Sequence, residues 1–225
     1  MTTIHQRNRN PGAVDNTGMP LPSTISGLVA WYKSNTLGFA NNDPVTSWED
    51  NSLNYLTMTG LAGKIPVFIT NQINGYPVVR FANKVMTIAA GRNENLCTWF
   101  MFCNFISNAN HAMLLNATGD NFMWLQYAST WYCANSISDT VDQDNGNYHL
   151  WCGTLSATKV HRYLSGVDQG EQTAGATASF GWKGIGNNAY TNNVDIAEFI
   201  VYGKLLSETE RINVELYMRS KYGTW

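Results

Sequence analysis

The sequence lacks any long run of apolar residues. No stretch approaches the ~20 consecutive apolar residues that cross a bilayer. The first residues, MTTIHQRNRNPGAVDN, also lack the apolar segment of a secretory signal. We therefore expect no membrane partner and no export by the usual secretory route.

The sequence also lacks a large excess of charge of either sign. Charged residues make up 13% of the 225 residues, the formal net charge is -2, and the lysines and arginines are scattered along the chain. A protein that binds nucleic acid neutralises phosphates with clustered cations. The sequence therefore argues against nucleic acid as a partner.

Cysteine is scarce, with four residues, at positions 97, 103, 133 and 152. Cys97 and Cys103 lie in one predicted strand, where a rise of ~3.3 Å per residue places them about 20 Å apart, too far for a disulfide. No Cys-x-x-Cys pair of the zinc-binding type is present. We expect buried free thiols, which are typical of a protein that folds in a reducing compartment.

Motifs for nucleophilic catalysis are missing as well. The sequence has no Gly-x-Ser-x-Gly motif and no phosphate-binding glycine loop, and its four histidines are scattered. In the predicted hairpin that turns near Ala157, His149 and His161 do not fall opposite each other. We therefore expect neither a metal-binding histidine pair nor a histidine-activated nucleophile there.

Short runs rich in Val, Ile, Thr, Trp, Tyr and Phe recur from residue 28 onward, separated by Asn, Gly, Asp and Ser. This spacing is typical of an antiparallel sandwich. The run TWFMFCNF is apolar on both faces and is expected to be a central strand, whereas KVHRYLSG alternates and is expected to face water on one side. The sequence predicts an all-β, two-sheet sandwich formed by residues 23–225.

One short helix is predicted near the C-terminus, at residues 208–221. Ser207 is followed three residues later by Glu210, so each side chain can accept a hydrogen bond from a free backbone N–H in the first turn. The apolar face of the helix is predicted to contain two pairs spaced four residues apart, Ile212 with Leu216 and Val214 with Met218.

Six segments, in their order along residues 25 to 223, carry a family resemblance: ISGLVAWYKSN, PVTSWEDNS, NGYPVVRFANKVMTI, YHLWCGTLSATKVHRYLSGVDQG, KGIGNN and VDIAEFIVYGKLLSETERINVELYMRSKYG. The last segment is the most specific, with an Ile-Ala-Glu strand, a Leu-Ser-x-x-Glu-Arg helix start and a Lys-Tyr-Gly end. The chain resembles the laminin-G-like jelly roll of the concanavalin A-like lectin/glucanase superfamily. The resemblance implies two stacked antiparallel sheets and a terminal helix that covers an open part of the sandwich. Members include lectins, glucanases, adhesion modules and non-enzymatic domains of bacterial and phage surface proteins.

The glucanases of this superfamily use paired carboxylates, and the nearest pair in this sequence is Asp195 and Glu198. Because side chains alternate along a strand, an offset of three predicts opposite faces, with the two groups ~10 Å apart along the strand. The family's Glu-x-Asp-x-x-Glu run is absent. We therefore expect a non-enzymatic protein in which Glu198 hydrogen-bonds to nearby backbone.

A sugar-binding site needs flat aromatic faces beside amide and hydroxyl groups. Such groups occur near a predicted turn, in an acidic loop and after the segment GIG, although aromatic residues of this fold also fill its core. The candidate sugar-binding residues are Trp131, Tyr132, Asn145, Asn187 and Tyr190.

The segment SDTVDQDNGN offers oxygen ligands for calcium from Asp139, Asp142 and Asp144. It lacks the spacing and the terminal Glu of an EF-hand, and a solvated acidic loop is the alternative interpretation. No other cofactor is predicted.

Residues 1–22 contain no periodic apolar pattern and carry His5, Arg7 and Arg9 as basic side chains. Such a segment cannot bury enough apolar surface to order itself. We expect an extended arm that contacts another copy of the chain or another virion protein.

Two hypotheses of function follow. The first is a structural or decoration protein of a phage-like particle, assembled in a host cytoplasm and displaying the sandwich on the virion, with cell-surface glycan as a further partner. The initiator methionine, the missing export signal and the free thiols favour it. The alternative is a free-standing, extracellular lectin or adhesin module, which would predict a signal sequence or disulfides.

Overall fold

The computed structural model describes residues 14, 18–106, 111–115, 122–127, 130–133, 146–173, 180–186 and 193–223. In these ranges the chain forms strands β1 (Leu28–Lys33), β2 (Ser47–Trp48), β3 (Met58–Gly60), β4 (Val67–Ile73), β5 (Tyr76–Ala82), β6 (Val85–Glu94), β7 (Cys97–Phe105), β8 (His111–Leu115), β9 (Phe122–Tyr127), β10 (Thr130–Cys133), β11 (Tyr148–Leu155), β12 (Lys159–Leu164), β13 (Val167–Thr173), β14 (Phe180–Gly186) and β15 (Asn193–Tyr202), followed by helix α1 (Glu208–Tyr222).

The described strands form two antiparallel sheets. The larger has the order β13-β12-β11-β7-β15-β5-β4, with β1 also paired to β15, and the smaller has the order β10-β9-β8-β14-β6-β3-β2. Strand β7, which contains the run TWFMFCNF, lies between β11 and β15 and is buried along almost its whole length. The predicted two-sheet antiparallel jelly-roll sandwich with a C-terminal helix is confirmed.

Aromatic side chains fill the space between the two sheets. Tyr32 is contacted edge-on by Trp48 and Trp182, with ring centroids 5.8 and 6.5 Å away, and Phe199 stacks on it at 6.2 Å. All four side chains are inaccessible to water. Burial of an apolar side chain such as Phe199 stabilises the fold by roughly 1.5–3 kcal/mol.

The predicted free thiols are found where the cysteines are described. Cys97 and Cys103 belong to the core between the sheets, and Cys152 lies in a second core on the outer face of the larger sheet. The side chain of Cys133 lies outside the described residues.

Helix α1 covers that outer face and forms the second core with it. Val214, Met218 and Tyr222 pack from the helix onto a cluster that includes Trp31 and Phe102 of the sheet. This confirms that the terminal helix closes an open face of the sandwich.

The predicted capping box begins this helix. The Ser207 hydroxyl accepts a hydrogen bond from the backbone N–H of Glu210 at 3.3 Å, and the Glu210 carboxylate accepts one from the backbone N–H of Ser207 at 2.9 Å. Lys204 donates to the same carboxylate at 2.7 Å.

The predicted apolar face of the helix is wrong in part. Ile212 and Leu216 are 37% and 39% exposed, whereas Arg211 and Glu215 are buried as an ion pair. The guanidinium of Arg211 lies 3.9 Å from the ring centre of Tyr163 in β12. Part of the buried face of the helix is therefore formed by an ion pair that stacks on an aromatic ring. The apolar spacing had assigned that part to Ile212 and Leu216.

The described end of the N-terminal segment packs on the sandwich itself. Met19 and Leu21 contact the second core, and the carbonyl of Pro22 accepts a hydrogen bond from the buried hydroxyl of Tyr202 at 2.9 Å. His5, Arg7 and Arg9 lie outside the described residues, so the arm stays a prediction. In the described ranges, no helix has the length and apolar character needed to span a membrane.

Candidate functional site

Strand β15 pairs with three other strands, and this arrangement sets the direction of its carboxylates. It pairs with β7 along one edge, while the other edge pairs first with β5 and then with β1. The register against β7 shifts between Ile196 and Glu198, which marks a β-bulge. A bulge adds one residue and so resets the alternation of side chains between the two faces.

The expectation that Asp195 and Glu198 point to opposite faces is therefore wrong. The contacts of Glu198 are to Trp31 and Tyr222, which belong to the second core. Asp195 accepts a hydrogen bond from Tyr148, which packs against that same core. Both carboxylates lie on the outer face of the larger sheet.

Glu198 is completely buried and joins the sheet to helix α1. Its carboxylate accepts hydrogen bonds from the indole N–H of Trp31, from Tyr217 at 3.0 Å, from Lys221 at 2.6 Å and from Tyr222 at 2.7 Å. All four donors are side chains, so the expected backbone partners are wrong. Four donors occupy the lone pairs of both oxygens, and the site holds the helix rather than presenting an acid to solvent.

A row of four polar side chains crosses the same face beyond the end of the helix. Tyr148 of β11 is opposite Asn104 of β7, Asn104 is opposite Asp195 of β15, and Asp195 is opposite Arg80 of β5. Residues directly opposite each other on neighbouring antiparallel strands project to the same side. We call Tyr148, Asn104, Asp195 and Arg80 the polar row.

The charges within the polar row cancel. Arg80 Nε donates to Asp195 Oδ1 and Arg80 Nη2 donates to Asp195 Oδ2, both at 2.7 Å. This two-point pairing fixes both planar groups. The Asp195 side chain is 2% exposed and that of Arg80 is 33% exposed, so the pair is open to solvent only from the arginine side.

Tyr148 contributes a hydroxyl that stays protonated. Burial, and then the Asp195 carboxylate, raise the pKa of Tyr148 well above its usual value. Its hydroxyl donates to Asp195 Oδ2 at 3.3 Å. Its ring stacks on Phe102 at 5.8 Å, and Phe102 stacks on Tyr222 at 4.6 Å, so the polar row continues the aromatic packing of the helix end.

Asn104 is the unsatisfied member of the row. Its side-chain oxygen is buried and accepts no hydrogen bond from any described residue, although Asn104 as a whole is partly exposed. A buried acceptor without a donor costs about 1–3 kcal/mol relative to a paired one. Such a group, between a phenol and an ion pair, is the feature that most favours a ligand at this position. Sequence inspection missed it, because only the register of β7 places Asn104 among these neighbours.

A second polar cluster lies on β12 and β13. His161 Nε2 is 2.7 Å from Asp168 Oδ1, and the imidazole stacks on Tyr163 at 4.5 Å. The hydrogen bond from His161 lowers the pKa of Asp168. His161 is opposite Thr154, which confirms that His149 and His161 do not pair. The cluster is bound internally, and its carboxylate is largely exposed.

Most of the residues predicted for sugar or calcium lie outside the described residues, so these predictions stay predictions. The backbones of Trp131 and Tyr132 lie in β10, at one end of the smaller sheet's strand order, and their side chains are not described. Among the residues whose positions are described, no group of three or more His, Cys, Asp or Glu side chains could hold a metal ion. The remaining candidates lie outside the described residues: Asn145, Asn187 and Tyr190 for sugar, and Asp139, Asp142 and Asp144 for calcium.

Comparison with known proteins identifies the fold. The sequence matches no protein-family model and no curated protein sequence. The structure is similar to that of Trypanosoma rangeli sialidase in complex with sialic acid, with a TM-score of 0.58 and 15% identity over 95% of this chain and 36% of the sialidase. It is also similar to the binding domain of botulinum neurotoxin serotype D, with a TM-score of 0.60 and 11% identity over 85% of this chain and 51% of that one.

A third similar structure is the binding domain of botulinum neurotoxin DC in complex with SialylT, with a TM-score of 0.55 and 12% identity over 88% of this chain and 52% of that chain. The chain thus spans about a third of the sialidase and about half of the neurotoxin domains. At these identities the likeness establishes a shared β-sandwich fold and nothing further.

Proposed function

We propose that this chain is a non-enzymatic, carbohydrate-binding module of the laminin-G-like, concanavalin A-like kind. The observation that carries the proposal is the polar row, in which the unsatisfied Asn104 oxygen lies between the phenol of Tyr148 and the Arg80–Asp195 pair. Sugar sites combine such hydrogen-bonding groups with an aromatic ring. Two of the similar structures are complexes with sialic acid and with SialylT, which supports a carbohydrate as the ligand class.

The state of the two carboxylates favours binding without hydrolysis. A glycosidase needs one carboxyl that gives a proton to the leaving oxygen and another that attacks or activates water. Asp195 is held by both nitrogens of one guanidinium edge, and Glu198 is completely buried among four donors. Neither group is available to a substrate, so a structural role is the better assignment for both.

The residues predicted for sugar binding from the sequence, Trp131, Tyr132, Asn145, Asn187 and Tyr190, stay candidates for further contacts to a glycan. Their side chains lie outside the described residues, so the proposal rests on the polar row alone.

The wider setting of the module is a separate proposal from the sequence. We propose a structural or decoration protein of a phage-like particle, located in the virion, with residues 1–22 as the contact to other subunits or to a second copy. The free thiols of Cys97, Cys103 and Cys152 favour assembly in a reducing cytoplasm. A free-standing extracellular lectin is the alternative. Detection of the protein in purified particles, by mass spectrometry and antibody labelling, distinguishes the two.

Glycan binding and hydrolysis are tested together. The purified chain is applied to a glycan array, and it is incubated separately with β-glucans and with a sialylated substrate while released sugar is measured. We expect retention of glycans without release of sugar. Absence of binding across the array contradicts the carbohydrate proposal. Sugar release that disappears in a Glu198→Gln variant which remains folded contradicts the non-enzymatic assignment.

Calcium stays a proposal for Asp139, Asp142 and Asp144. If the loop holds the ion, millimolar calcium raises the melting temperature by mass action and excess chelator reverses the effect. Replacement of all three residues by Asn should remove the calcium response. An equal response in that variant excludes this loop as the site.

A further inference from the structure

We infer that the polar row takes a neutral, hydroxyl-rich sugar and discriminates against acidic ones, with Asn104 accepting a hydrogen bond from a ligand hydroxyl. The inference rests on the proposed carbohydrate function, to which it adds a position and a ligand class. It departs from the acidic sugar of one similar structure, the sialidase in complex with sialic acid.

The charge arrangement disfavours an anion. Arg80 is the cation of the row, and its Nε and Nη2 are both committed to Asp195 at 2.7 Å. Nη2 also lies 3.5 Å from Gln72 Oε1. A ligand carboxylate that displaced Asp195 would leave that nearly inaccessible carboxylate without its partner, and one that bound at Nη1 would meet a guanidinium whose charge Asp195 already neutralises. A neutral ligand meets neither obstacle.

The free acceptor selects for hydroxyl groups. Asn104 Oδ1 has no donor among the described residues. Its neighbour Tyr148 donates to Asp195 instead. A sugar hydroxyl can donate to an amide oxygen, whereas an ionised carboxylate can only accept. Because Oδ1 is covered in the free protein, binding requires a rotation of the Asn104 side chain, which the partly exposed position of the residue permits.

Tyr148, the aromatic residue of the polar row, can contact a sugar ring. Tyr148 is half-buried, with one face stacked on Phe102 and its hydroxyl directed to Asp195. A pyranose has an apolar face formed by C–H groups and a rim of hydroxyls. The exposed part of Tyr148 can contact the apolar face, while Asn104 and the outer edge of Arg80 meet the rim.

The test compares matched neutral and sialylated glycans on two asparagine variants. Asn104→Leu removes the acceptor while keeping side-chain size, and Asn93→Leu makes the same change at an exposed strand position of the smaller sheet. The neutral glycan bound best on an array and its sialylated counterpart are titrated by calorimetry. Asn104→Ala is a second variant that adds no volume, and circular dichroism and thermal melts establish that each variant is folded.

We expect the parent chain to bind the neutral glycan roughly tenfold or more tightly than the sialylated one. Asn104→Leu and Asn104→Ala should each weaken neutral binding by a similar factor, while Asn93→Leu changes it less than about twofold. If both folded Asn104 variants bind the neutral glycan as the parent does, Oδ1 accepts no hydrogen bond from the ligand and the inference fails. The proposed carbohydrate function would still stand. Preference for the sialylated glycan overturns the ligand class. Failure of every glycan to bind overturns the proposed function as well.

Discussion

Asp195 and Glu198 lie on the same face of strand β15, although three positions separate them, because the strand bulges between Ile196 and Glu198. The two carboxylates thereby bind different partners on one face of the larger sheet. Asp195 pairs with Arg80, which is partly exposed to solvent. Glu198 pairs with Lys221 of helix α1, where the helix covers the sheet. The bulge lies where the neighbouring strand on one edge of β15 changes from β5 to β1. One irregularity therefore accompanies the change of strand partner and also places both carboxylates on one face.

Replacement of Ser207 by Ala should lower the free energy of unfolding by about 1 kcal/mol, because the helix loses the side chain that accepts from the Glu210 backbone N–H. Urea unfolding followed by circular dichroism measures the loss. Thr209→Ala, at an exposed position in the same turn, is the control and should change stability by less than about 0.5 kcal/mol. Equal effects of the two substitutions would contradict the capping role.

Replacement of Glu198 by Gln should destabilise the protein by roughly 3–5 kcal/mol, because the ammonium of Lys221 is left without its carboxylate in a nearly inaccessible position. The control is Glu171→Gln, which removes the exposed partner of Lys159 and should cost less than about 1 kcal/mol. Chemical unfolding of both variants gives the comparison. A Glu198→Gln protein as stable as the parent would remove the argument that this carboxylate is structural.

Gly184→Ala should destabilise the sandwich by about 3 kcal/mol or more. A Cβ at this position would overlap the backbone carbonyl oxygen of Met86 and lie 2.9 Å from the Cα of Thr87, so strands β14 and β6 would have to separate. Gly38→Ala is the matched control, because nothing lies within 4 Å of its added Cβ. Thermal unfolding of the two variants should separate them clearly, and similar melting temperatures would contradict the close approach of the strands.

Stability should fall as the pH drops below about 6.5, in part through His149. Burial lowers the pKa of His149 below its usual value of 6.5. Between those two pKa values the unfolded chain binds the proton more readily than the folded chain, so acidification favours unfolding. Unfolding free energies at several pH values test this, and a His149→Gln variant should show a shallower decline between about pH 7 and 5. A decline as steep as that of the parent would assign the effect to other groups.

Deletion of residues 2–17 should leave a soluble domain that melts cooperatively, because the retained residues Met19, Leu21 and Pro22 supply the described contacts to the sandwich. If the arm contacts neighbouring subunits, the truncated protein should no longer oligomerise or enter particles. Size-exclusion chromatography with light scattering, and particle incorporation, measure this. A control chain with His5, Arg7 and Arg9 changed to Ala separates the arm's charges from its backbone. Unchanged assembly of the truncated protein would reject the arm proposal.

Local sequence patterns were sufficient for the strands and the helix. The run in β7 is apolar on both faces because another layer covers each of them, and Ser207 with Glu210 marks the helix start through contacts within one turn. Both signals depend on neighbours in the sequence. The buried helix face was predicted less well, because Arg211 and Glu215 neutralise each other and a polar pair does not register in an apolar pattern.

The candidate site could not be predicted in the same way. The polar row unites residues of four strands, and its order depends on the register of each pair. The bulge in β15 has no clear local signal in VDIAEFIVY, because the strand is buried on both faces and the segment shows no regular apolar–polar alternation that a bulge could interrupt. An asparagine such as Asn104 is ordinary in a sequence until its neighbours show that its acceptor has no donor in the described part of the chain.

Strand β15 pairs with β7 on one edge and with β5 and β1 on the other, and this pairing constrains when the protein can fold during synthesis. Trp31 and Glu198, which meet through β1 and β15, are 167 positions apart in the chain. Until β15 has been translated, β1, β5 and β7 each lack a central neighbour and expose unpaired backbone edges. Such long-range pairing is slow, and its incomplete intermediates are prone to aggregate. A nascent chain halted before Asn193 should therefore aggregate more readily than the finished sandwich.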